Sequence, residues 1–159
     1  MLAVAWWWLL LFFFGLIGLP FTVYLFPHLP DKGYAFGRIL TLLFLSYLLW
    51  LLALGHVLPN NLATIIVILL ALAIFSFSLF QQRRREILEF LSREWKTIAI
   101  TEAIFAGAFS LWALMRSYSP DLIYGEKLMD FAFLNSTWRS PYFPPPDPWL
   151  SGYSISYYY

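Results

Sequence analysis

Leu62-Ala-Thr-Ile-Ile-Val-Ile-Leu-Leu-Ala-Leu-Ala-Ile-Phe-Ser-Phe-Ser-Leu-Phe80, followed at once by Gln81-Gln82-Arg83-Arg84-Arg85, decides the fold. A hydrocarbon layer of roughly 30 Å takes about 20 apolar helical residues to cross, and this stretch is that long and carries no charge. The arginines that follow mark the point where the chain meets water and lipid head groups. The same pattern recurs on both sides: Leu2 to Phe26, Ile39 to Val57 and Thr97 to Met115 are also long enough and apolar enough to span. The reading is an all-α, polytopic membrane protein with four transmembrane helices and an amphipathic helix in a following loop.

Composition agrees. Of 159 residues 61% are hydrophobic and 12% charged, against a charged share of about 25% in soluble domains. The absence of cysteine removes disulfides and thiolate metal sites. A net charge of +1 carries no signal for nucleic acid, and the partner implied is membrane lipid. The first apolar run lacks a basic leader and a small-residue cleavage site, so it is expected to be a retained helix, with Gly15, Gly18 and Pro20 interrupting its second half.

The division expected is a transmembrane region over 1–116 and a motif loop over 117–159. Lys32 and Arg38 fall between the first two spans, and Arg83, Arg84, Arg85, Arg93 and Lys96 between the last two. The positive-inside rule puts these residues in the cytoplasm, and the N-terminus and the C-terminal loop outside the cell membrane. Residues 83–96 read as a helix in the inner interface, with Ile87, Leu91 and Trp95 every four residues and Glu89 paired to Arg93. The fourth span carries Glu102, expected to snorkel or to pair with Lys96 or Arg93. Its small residues Ala103, Ala106, Gly107 and Ser110 predict a packed central helix. His28 and His56 read as interfacial polar residues.

The polar loop is the candidate site. A helix from Glu126 to Trp138 puts Glu126 and Asp130 one turn apart on one side. Such a pair repels unless a proton, a metal or a cation such as Lys127 or Arg139 lies between its members. It can act as a general base or hold a divalent metal, and it can equally be a solvated helix face. Beyond it, Phe143-Pro-Pro-Pro-Asp147-Pro-Trp149 is a stiff, extended run that frames Asp147, either as a positioned ligand group or as a turn residue. Trp149 fits an interfacial aromatic belt before it fits a ligand cage.

Gly125-Glu-Lys-x-Met-Asp-Phe-Ala-Phe-Leu-Asn135, Arg139-Ser-x-Tyr-Phe-Pro-Pro-Pro-Asp-Pro-Trp-Leu-Ser-Gly152 and Ile155-x-Tyr-Tyr-Tyr159 together resemble the signature of the YYY membrane protein family. Those proteins are similar in layout to the GT-C glycosyltransferases, which move sugars from polyprenyl-phosphate donors outside the membrane. The resemblance implies that Asp130 is the catalytic base or the metal-binding acid with Glu126 as helper, and that Arg139, Asp147, Lys127 and Trp149 contact a polyprenyl-phosphate sugar. The acidic pair of that superfamily is often two adjacent residues, whereas Met129 and Phe131 flank Asp130 here. Family members continue beyond the tyrosine triplet, so the resemblance also implies an N-terminal fragment, inactive alone. The rival expectation is a non-catalytic membrane protein whose external loop binds a partner or a lipid head group.

Overall fold

The computed structural model describes residues 2–118 and 126–156. The Tyr157–Tyr159 triplet and Gly125 of the motif lie outside them. The elements are α1 (Leu2–Leu25), a short 3-10 turn (Tyr34–Phe36), α2 (Gly37–Leu54), α3 (Leu62–Gln82), α4 (Arg84–Arg93), α5 (Trp95–Tyr118) and α6 (Lys127–Arg139). No strand occurs among the described residues beyond an isolated bridge between Pro146 and Ser154. Leu2–Leu25, Tyr34–Leu54, Leu62–Gln82 and Trp95–Tyr118 are each long and apolar enough to cross a bilayer. The molecule is an all-helical protein with four candidate membrane spans.

Two compact units share the chain, one over 2–44 and 70–118, the other over 45–69 and 126–156. In the first, the glycines of α1 set the approach to α2. A Cβ on Gly18 would lie 1.9 Å from the carbonyl oxygen of Gly37, and one on Gly37 would lie 3.1 Å from that of Gly15. Thr41 Oγ1 donates to the Phe14 carbonyl at 2.8 Å, and only backbones without side chains come this close. α1 runs on through Pro20. Proline removes the amide that would bond the Leu16 carbonyl, and one residue further on Ser76 Oγ donates to the Ile17 carbonyl at 2.7 Å, tying α3 to α1 at that turn. Phe21 packs on Phe44 and Phe75, with ring centroids 5.5 and 5.7 Å apart.

Three expectations change here. The helix after α3 ends at Arg93, and part of its apolar side meets protein: Ile87 and Phe90 are buried against Leu19 and Val23 of α1. Trp95 opens α5 instead and is exposed. The four-residue stripe misled because the partner is another helix, which Ile87 and Phe90 meet at a spacing of three. Arg93 pairs with its neighbour Glu94 at 3.5 Å, and Glu86 takes up Lys32 at 3.3 Å and Arg83 at 3.1 Å. Most plainly, α5 is not central. None of its described residues is buried, and a Cβ on Gly107 would meet no atom of the described residues within 4 Å. Small residues permit close approach but do not supply the partner.

Candidate functional site

The second unit is built around α6. Glu126 occupies its N-cap position, and the Asp130 amide donates to the Glu126 carbonyl at 3.0 Å, closing the first turn. Both carboxylates are exposed, on one side of the helix as expected, and neither has an ion-pair partner among the described residues. Asp130 in the first turn meets the positive end of the helix dipole. No third His, Asp or Glu joins them among the described residues to complete a metal-ligand set.

The other end of α6 is held by the turn between α2 and α3. Asn60 Nδ2 donates to the carbonyls of Thr137 at 2.8 Å and Ser140 at 3.1 Å, covering acceptors that a helix end leaves unpaired. The Asn60 amide donates to Pro141 at 2.6 Å, and Ser140 is buried. His56, read as a plain interfacial residue, stacks on Tyr142 with ring centroids 4.5 Å apart. Sequence reading missed Asn60 because its partners lie more than seventy residues on. The Pro59-Asn60-Asn61 turn offered only turn chemistry as a signal.

The proline run then folds back over the helix. Ser136 Oγ donates to the Pro146 carbonyl at 2.5 Å, the Asp147 amide to Tyr153 at 2.8 Å and the Ile155 amide to Pro145 at 2.9 Å. Asp147 Oδ1 accepts from the amides of Trp149 at 2.8 Å and Leu150 at 3.0 Å, so that oxygen closes a side-chain-to-backbone turn. Of the two readings open for Asp147, the turn is the one with bonds to it. Trp149 is exposed and sets its ring edge against Phe133 at 5.3 Å. Lys127, first residue of α6, is half-buried.

Two recesses flank α6 within this unit. One, of about 520 Å³, is lined by Ala132, Asn135, Ser136, Arg139, Pro146 and Pro148, among others. Arg139 is exposed there and has no carboxylate partner among the described residues. The other, of about 540 Å³, is aromatic and apolar, with Trp50, Leu54, Phe133, Thr137, Phe143 and Pro144 in its walls. At 100° per residue Asp130 stands in line with Phe133 and Thr137, and about 180° around the axis and roughly 14 Å along it from Arg139. Asp130 and Arg139, which sequence reasoning expected to share a site, are on opposite faces.

A second polar cluster lies in the first unit. Arg38 Nη2 donates to Glu102 Oε1 at 2.6 Å and also to Oε2, and Tyr34 OH donates to Oε1 at 2.7 Å. The Arg38 guanidinium covers the Phe105 ring at 4.1 Å, and its Nε is buried without a hydrogen-bond partner among the described residues. Glu102 therefore pairs with Arg38, not with Lys96 or Arg93. Assigning Arg38 to a loop hid this, since α2 already starts at Gly37. An arginine and a glutamate on two spans were the signal available.

Helices of this length and apolarity with a polar loop of this build define a multi-pass α-helical membrane protein. The model of an uncharacterized membrane protein family, DUF2298, matches residues 44–159, and the chain belongs to that family. No curated protein and no solved structure matches the chain.

Proposed function

We propose that this membrane protein binds the phosphate head group of a lipid at the recess beside Arg139. The observation that carries the reading is a guanidinium with no carboxylate partner among the described residues, at the edge of a recess whose walls are fixed by the Ser136–Pro146 and Asn60–Ser140 hydrogen bonds. Arginine binds phosphate through paired charge-assisted hydrogen bonds, and a preformed wall lowers the ordering cost of binding. The resemblance of the loop to proteins similar to GT-C enzymes makes a polyprenyl-phosphate sugar the candidate lipid. The distribution of Lys and Arg supports placing this recess at the outer face of a cell membrane.

A second reading, sugar transfer from such a donor, is favoured by one observation: Asp130 shares its helix face with Phe133 and Thr137, which line the aromatic recess. Asp130 would there take a proton from an acceptor hydroxyl, with Glu126 as helper. This reading ranks second because Arg139, its phosphate contact, points to the opposite side of α6.

One experiment separates them. A soluble prenyl phosphate is titrated onto the purified protein, and Arg139→Gln is expected to weaken binding by roughly tenfold to a hundredfold, the worth of a charge-assisted hydrogen bond. Asp130→Asn leaves binding unchanged under the first reading and abolishes sugar transfer under the second. Unaltered binding by Arg139→Gln would overturn the head-group assignment.

A further inference from the structure

We infer that the corner between α3 and α4 is a second, separate binding site, for the head groups of anionic phospholipids, held together by Arg83, Arg84 and Arg85. The inference does not depend on the Arg139 reading. α3 ends a candidate span at Gln82, which places the next three residues where hydrocarbon gives way to head groups. A recess of about 540 Å³ opens there, lined by Gln81, Gln82, Arg83, Arg84, Arg85 and Glu86. The carboxylate in it is already engaged: Glu86 Oε1 takes Lys32 and Oε2 takes Arg83. Arg83 also faces the Tyr24 ring at 5.0 Å. Arg84 and Arg85 are exposed and have no carboxylate partner among the described residues. The corner therefore keeps uncompensated positive charge beside two neutral amide donors.

How α4 is seated decides the kind of attraction. A surface helix that inserts Ile87 and Phe90 into lipid would bind membranes of any charge through buried apolar area. Here those two side chains are buried against α1 instead, so α4 is seated on the protein and turns Arg84, Arg85 and Glu89 outward, with Leu88 its one exposed large apolar side chain. What remains is electrostatic, worth about fivefold in affinity per arginine near an anionic surface and screened by salt. A lipid phosphate is the complementary group at this depth, and its chains would continue along the apolar α3.

The test uses the full chain in neutral detergent, in an Arg139→Gln background so that the other proposed site does not contribute. Short-chain phosphatidylglycerol, short-chain phosphatidylcholine and inorganic phosphate are titrated in parallel, with the thermal unfolding midpoint as readout. Phosphatidylglycerol is expected to raise the midpoint, with an apparent affinity about fivefold weaker in Arg84→Gln or Arg85→Gln and about thirtyfold weaker in the double variant. Both positions are exposed, so folding is retained. Added salt should erase the effect. Equal stabilisation by phosphatidylcholine, a double variant that titrates like its parent, or inorganic phosphate matching the lipid would each overturn the assignment.

Discussion

Arg38 and Glu102 hold each other across two membrane-spanning helices, and the energetics of such a pair are asymmetric. Taking both charges out of water is costly, and their attraction offsets that cost only while both are present. Arg38 is 7% exposed, so the loss of Glu102 would leave a guanidinium buried with no counter-charge. Glu102→Leu is therefore expected to destabilise the protein by about 3 kcal/mol, read as a lower unfolding midpoint in detergent. Arg38→Met with Glu102→Leu should recover most of that loss, because no charge is then stranded. A double variant as unstable as the single would show that the pair acts through shape and not charge. Asp147 is a second case at this scale: between two prolines it looked equally suited to a ligand or to a turn, and only the amides of Trp149 and Leu150, which it accepts, distinguish the two.

At the scale of elements, two glycines with the same composition signal have opposite surroundings. Gly18 is pressed against Gly37, and Gly107 has no neighbour among the described residues that an added Cβ would meet. Gly18→Leu is expected to abolish most folded yield, since the obstacle is backbone that cannot rotate away. Gly107→Leu should be close to neutral, and monodisperse yield after solubilisation measures both. The spans were legible in the sequence because hydropathy over such lengths has few alternatives in a chain this apolar. Which helix lies against which was not, as α5 shows: its Ala103, Gly107 and Ser110 resemble those of a central helix, while tight packing in fact falls on Gly15 and Gly18 of α1. The α6 carboxylates were placed correctly on one face by helical period alone. Separating them from Arg139 needed only the same period applied over nine residues, whereas the Asn60 clamp joins distant segments and left no local trace.

The whole molecule is an all-helical protein with four candidate spans in an uncharacterized membrane protein family, and its orientation is proposed from Lys and Arg placement. Both binding proposals depend on that orientation for their setting, the Arg139 recess on the outer side and the α3–α4 corner on the cytoplasmic side. The chain has no cysteine, so a single introduced thiol reports its own exposure without background. Asn61, in the turn between α2 and α3, Ser151, in the proline-rich loop, and Glu89, on the exposed side of α4, are the positions to compare. Labelling intact cells with an impermeant maleimide, the account predicts reaction at Asn61→Cys and Ser151→Cys, with Glu89→Cys reacting only after permeabilisation. Reaction of Glu89→Cys in intact cells, or protection of Ser151→Cys, would contradict it.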